Sequence, residues 1–148
     1  MTAPMDFSLN AFRAAQPRLL GRARRTPLID AAPVKDDPAP GARLLLKLDN
    51  LQPTGSFKVR GASNTLMTLK DEQKRAGLIT ASGGNHGLGV AYAAAMADCP
   101  AVIFLPTSTP SIKTEKLKSW GAKVVSIGDV WDEANVAAVA RADATGMT

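Results

Sequence analysis

Short apolar runs alternate along the chain with longer segments whose apolar residues recur at helical spacing. "RLLLKL" (Arg43 to Leu48), an apolar run bounded by turn-forming residues, predicts a buried strand, and "GLITAS" (Gly77 to Ser82), "AVIFLP" (Ala101 to Pro106) and "AKVVSIG" (Ala122 to Gly128) predict three more strands. Helical patterns are predicted over Phe57 to about Leu69, Asn85 to about Ala97, Pro110 to Trp120 ended by Gly121, and Val130 to about Thr145. Strands joined by helical crossovers run parallel and the crossovers are right-handed, so the predicted fold class is α/β, an open parallel twisted sheet with helices on both faces. In such sheets ligands bind at the carboxyl ends of the strands.

Composition narrows the class. The chain of 148 residues is 45% hydrophobic, 21% charged and only 5% aromatic, which reads as a helix-rich globular domain. One cysteine, Cys99, and one histidine, His86, cannot form an internal disulfide or supply the ligands of a zinc site, so a reducing, cytoplasmic setting and no metal are expected. The longest apolar run, "LGVAYAAAMA" (Leu88 to Ala97), is far short of the roughly 20 residues of a membrane span. The N-terminal segment has scattered apolar residues (Phe7, Leu9, Phe12, Leu19, Leu20) and no secretory apolar region, although its arginines leave an organelle transit peptide open. A net charge of +5 raises nucleic-acid binding, but only Arg22, Arg24 and Arg25 cluster, without interleaved aromatics, so a solvated surface or a small anionic ligand is expected instead.

Two turns carry candidate chemistry. "LQPTGSFKVRG" (Leu51 to Gly61) runs into a helix with Lys58 in its first turn, at the positive end of the macrodipole, where a charged amine is mildly disfavoured. "TASGGNHGLGVA" (Thr80 to Ala91) passes from strand to helix through Ser82, Gly83, Gly84 and Asn85, and its glycines and free helix-end amides form a cradle for a carboxylate or phosphate. Each turn has a plainer reading: a solvated lysine, an ordinary capping turn, a hydrogen-bonding His86. Placed at one edge of a parallel sheet, they would surround a crevice with an amine, backbone donors, an amide and an imidazole. A carbonyl compound would then consume the lysine's charge through a Schiff base.

The pair "TGSFKVRGASN" and "TASGGNHGLGVA" closely resembles the motifs of the serine/threonine dehydratase group of pyridoxal-phosphate enzymes, which also contains serine racemase. The likeness continues through "RTPL" (Arg25 to Leu28), "VIFLPTSTPSIKTEKLKSWGAKVV" and "DEANVAAVARADATG", covering roughly residues 22 to 148. The resemblance implies that Lys58 forms the Schiff base with pyridoxal 5'-phosphate and moves protons at the substrate's α-carbon. It implies that Asn85 hydrogen-bonds the cofactor's ring hydroxyl, with Phe57 also in the cofactor-binding set. Ser82, Gly84, Asn85 and His86 then correspond to the loop that grips the substrate carboxylate, and Ser82 joins Lys58 as catalytic. The implied reaction is β-elimination on serine, threonine or a related β-hydroxy amino acid, giving a 2-keto acid and ammonia.

Within that fold, cysteine- and threonine-synthase relatives tend to carry an acid after the lysine and a threonine after the asparagine. Here the chain reads "FKVR" and "NHG", which favours dehydratase or racemase. Gly83 stands where serine racemase has a serine and has no side chain to carry a proton, so elimination is expected over racemization. Asp49 stands where the family more often has Glu. Family members run to roughly twice this length, and the glycine-rich phosphate loop and the residue facing the pyridine nitrogen have no counterpart here. The expectation is an N-terminal half: residues 1–76 from the large cofactor domain, 77–148 the small substrate-binding domain, and a homodimer for the full enzyme. A non-catalytic anion- or nucleotide-binding module, a serine racemase-like enzyme and a partner subunit supplying the lysine are the alternatives.

Overall fold

The computed structural model describes residues 6–31 and 40–148. The predicted turn upstream of the first apolar run, Ala32 to Gly41, lies almost wholly outside the described residues. In chain order the elements are α1 (Leu9–Leu19), β1 (Leu28–Asp30), β2 (Leu45–Lys47), a one-turn 3-10 helix (Asp49–Leu51), α2 (Lys58–Thr68), α3 (Asp71–Ala76), β3 (Leu78–Ala81), α4 (Asn85–Ala95), β4 (Ala101–Leu105), α5 (Ser111–Ser119), β5 (Lys123–Ser126) and α6 (Trp131–Thr145).

The centre is a parallel sheet in the order β3-β4-β5. All five residues of β4 are buried, as a middle strand covered on both faces requires. Strand alternation sends Ile103 and Leu105 into a core with Leu66, Val90, Ala91, Ala94 and Leu117, under α4 and α5. Val102 and Phe104 face the opposite way and pack with Ala81, Ala134 and Ala138 under α6. Small residues on α4 and α6 let the helices approach the sheet closely, which is how a chain so poor in aromatics fills its core. Beyond α6, the Thr148 amide donates to the Gly77 carbonyl at 3.0 Å and the Ile79 amide donates to the Thr148 carbonyl at 2.8 Å, on the outer side of β3.

The four-strand expectation needs correction at its first member. β2 does not join the parallel sheet: it pairs antiparallel with β1, Leu28 opposite Lys47 and Asp30 opposite Leu45, in a separate two-stranded sheet. Leu45 and Leu46 remain 41% and 44% exposed, so this apolar run lacks the cover on both faces that a parallel strand demands. Two helices escaped prediction. Ser8 caps α1, its hydroxyl accepting from the Ala11 amide at 3.2 Å, and α1 buries none of its residues. α3 is short and almost entirely polar. No helix among the described residues is long and apolar enough to cross a membrane.

Candidate active site

α2 begins at Lys58 with Phe57 at its cap, no capping side chain, and no acidic residue in its first turn. Lys58 and Arg60 thus place two cations at the positive end of the helix dipole. What holds this turn is tertiary packing. α2 lies along α4, and a Cβ at Gly89 of α4 would stand 3.0 Å from the Lys58 carbonyl carbon, 3.1 Å from its oxygen and 3.2 Å from its Cβ. Any side chain at position 89 would have to push the Lys58 backbone back by a few tenths of an ångström, so the close approach favours glycine there. The two motifs meet through this helix pair. They do not meet through adjacent parallel strands, because the strand before Lys58 belongs to the other sheet.

A cleft of about 420 Å³ opens between α2, β3 and α4, lined by Phe57, Lys58, Gly61, Thr80 and His86 among others. The Lys58 ammonium lies 5.2 Å from the centre of the Phe57 ring, within cation–π range. Among the described residues no carboxylate lies within ion-pair distance of it. Burial lowers the His86 pKa below its ordinary 6.5, and the nearby Lys58 charge lowers it further. His86 is thus a neutral imidazole at pH 7, able to accept and to donate one hydrogen bond.

The second turn is tightly drawn. The Gly84 amide donates to the Ser82 hydroxyl at 3.4 Å, and the first backbone bond of α4 runs from the Leu88 amide to the Gly84 carbonyl at 3.1 Å. The amides of Asn85, His86 and Gly87 therefore head the helix, where donors have no partner in the preceding turn. A Cβ at Gly87 would lie 1.9 Å from the Ser82 carbonyl oxygen, so this turn closes only with glycine. Of the predicted site residues, Lys58, Phe57 and His86 share the cleft. Ser82, Gly84 and Asn85 occupy the turn next to it and are not among its lining residues.

The sequence reading passed over a polar network behind Lys58. Asp49 accepts from Arg60 Nε at 2.9 Å and Nη2 at 2.8 Å, from Thr26 Oγ1 at 2.6 Å and from Gln52 Nε2 at 3.2 Å. Gln52, almost fully buried, also donates to the Arg24 carbonyl and accepts from the Arg24 amide, both at 2.8 Å. Arg60, followed by the other donors, holds the Asp49 carboxyl well below the usual carboxylate range. The only signal in the sequence is an acid and a base flanking the lysine at unequal distances, which matches no helical or strand period.

The sequence profile of the family described as pyridoxal-phosphate dependent enzymes matches residues 19–148. The chain belongs to that family. It is 46% identical over 108 residues to the biosynthetic chloroplastic threonine dehydratase 1 of Solanum lycopersicum, covering 73% of this chain and 18% of the relative. It is 38% identical over 139 residues to the L-threonine ammonia-lyase of Thermotoga maritima, covering 94% and 34%. Among solved structures, the processed form of threonine deaminase isoform 2 from Solanum lycopersicum superposes with a TM-score of 0.77 at 30% identity, covering 99% of this chain and 41% of that one. Maize serine racemase gives 0.82 at 30% identity, covering 95% and 42%. The chain thus spans less than half the length of each of these relatives, and the α/β fold with its parallel sheet is theirs.

The residues present suit the family's cofactor. An amine with no carboxylate partner among the described residues lines a cleft with an aromatic ring and an imidazole, beside glycine-drawn backbone. In the turn leading to Lys58, the hydroxyls of Thr54 and Ser56 are buried without a hydrogen-bond partner among the described residues. Hydrogen-bonding capacity left unused in the turn that leads to Lys58 is compatible with a polar ligand.

Proposed function

We propose that the chain carries part of the active site of a pyridoxal-phosphate dependent ammonia-lyase acting on threonine, serine or a related β-hydroxy amino acid. The observation that carries this reading is the Lys58 amine, without an ion-pair partner among the described residues, lining a cleft with His86 and Phe57 in a family member whose named relatives include threonine dehydratases. Pyridoxal phosphate, when bound, supplies an electrophilic aldehyde and a ring that delocalises negative charge from the substrate's α-carbon. Lys58 would hold the cofactor through its amine and carry the α-proton. Asn85 would donate to the ring hydroxyl, and Phe57 would shield one side of the site. Ser82, Gly84, Asn85 and His86, with the amides heading α4, would bind the substrate carboxylate and so orient the bond from which the proton leaves.

In this reading residues 1–76 contribute to the cofactor domain and residues 77–148 form the small substrate domain, and the complete enzyme is a cytoplasmic homodimer. The separation of the β1-β2 pair from the β3-β4-β5 sheet supports the division. The likeness to maize serine racemase favours one second reading, in which the same site inverts serine.

The test is to incubate the full chain with pyridoxal phosphate, reduce with borohydride and map the modified lysine by peptide mass spectrometry. Stoichiometric labelling at Lys58, abolished by Lys58→Ala, is the expected result. Labelling spread over surface lysines overturns the reading. Where Lys58 is labelled, the appearance of 2-keto acid or of D-serine from L-serine separates elimination from racemization.

A further inference from the structure

We propose that Asp49 and Arg60 form a positioning device that sets the rotation of α2 about its axis and thereby aims Lys58 into the cleft. The inference rests on the cofactor-binding reading of Lys58 given above and adds residues to which that reading assigns no role.

Lys58 and Arg60 are two residues apart, roughly 200° around the helix, so they leave α2 in nearly opposite directions. On one side the backbone of Lys58 is pressed against Gly89. On the other, the Arg60 fork grips both oxygens of Asp49, and its Nη2 reaches the Arg24 carbonyl at 3.2 Å and Thr26 Oγ1 at 3.3 Å. Asp49 thus joins three chain segments: residues 24–26, the one-turn helix with Gln52, and the first turn of α2. The pair is largely sheltered, with the Asp49 side chain 15% and the Arg60 side chain 30% exposed.

An uncapped helix end normally frays within its first turn. Here that turn has no capping side chain, yet it is gripped from both sides. The Asp49 carboxylate also supplies the negative charge that two first-turn cations at a positive dipole end require. A bidentate arginine–carboxylate pair fixes direction as well as distance, and a lysine in place of Arg60 could not reproduce it.

The experiment measures the share of total borohydride-fixed label found at Lys58 in the full chain, with hydrogen exchange of the β3-β4-β5 amides as the check on folding. Asp49→Asn and Arg60→Gln are expected to lower that share about tenfold, the factor set by about one lost charge-assisted hydrogen bond. Asp49→Glu, which keeps the carboxylate, is expected to restore most of it. Leu117→Ala, a destabilising change in the buried core away from the network, is expected to leave the share unchanged. If sheet amides lose protection in Asp49→Asn, Arg60→Lys decides, since it keeps the charge and loses the fork. Selective labelling of wild type that persists in the folded Asp49 and Arg60 variants overturns the positioning role alone. Absence of selective labelling in wild type overturns the cofactor reading, and this inference with it.

Discussion

Gly89 touches the backbone of Lys58 so closely that a Cβ on it would lie 3.0 Å from the Lys58 carbonyl carbon. The contact joins the two motif-bearing helices at Lys58, and neither backbone can move aside as a flexible side chain would. Gly89→Ala is expected to force α2 and α4 apart and to destabilise the chain by about 1–3 kcal/mol, the cost of overpacking a well-filled contact. Gly61→Ala, in the same helix as Lys58 and with nothing within 4 Å of the added carbon, is expected to be neutral or stabilising by up to about 1 kcal/mol. Urea denaturation of both variants checks the contrast, and equal midpoints would remove the close-packing argument.

Asp49 predicts an acid-side loss of stability. Its folded pKa is depressed well below the ordinary 3.8, chiefly by the Arg60 hydrogen bonds, so between those two values the unfolded chain binds the proton and the folded chain does not. The stabilisation is therefore fully present above about pH 4 and is lost as pH falls toward the folded value. Asp49→Asn is expected to lower the urea midpoint at pH 6, and the gap from wild type is expected to narrow from pH 4 downward. A gap that stays constant to pH 3 would show that the carboxylate is not the stabilising species.

His86 reports on Lys58. Its pKa is lowered first by burial and then by the Lys58 charge, so a nuclear magnetic resonance titration of the single imidazole is expected to give a midpoint below 6.5. Lys58→Gln removes the charge and leaves the burial, so the midpoint is expected to rise while staying on the low side. An unmoved midpoint would separate the two residues electrostatically and weaken the case that they serve one site.

The parts of this fold that were legible in the sequence are those in which burial and period agree. β4 reads as an unbroken apolar run because both its faces are covered, and α4 reads as a helix that starts at Asn85 because the glycine turn announces it. "RLLLKL" misled because an apolar run records the tendency to be buried and not the partner: Leu45 and Leu46 are left partly exposed in an antiparallel pair with Asp30 and Ile29. α1 is passed over because the apolar residues of its segment, Phe7, Leu9, Phe12, Leu19 and Leu20, read as scattered, and Pro17, tolerated two residues before the helix ends, breaks a helical pattern. The meeting of Lys58 and His86 was anticipated for a sheet-edge reason that the structure replaces with a helix–helix contact. The Asp49–Arg60 pair left no trace in any periodicity, since its geometry arises from loops crossing behind α2.

The exit of β3 is anchored from α6. The Trp131 indole donates to the Ala81 carbonyl at 2.7 Å, one residue before Ser82 begins the glycine turn, and so adds a directional tie to the packing of Ala81 against Ala134 and Ala138 of α6. Trp131→Phe keeps an aromatic body and removes the donor, so it is expected to cost about 1 kcal/mol in urea denaturation. The larger effect is expected to be local. Amides of Gly83 to Gly87 should exchange faster, because the strand end that leads into them is no longer held at Ala81, while the β4 amides, whose protection reports global unfolding, slow or quicken only with the overall stability. If the turn and β4 change in step, the indole contributes to the fold as a whole and does not shape the turn on which the proposed carboxylate site depends.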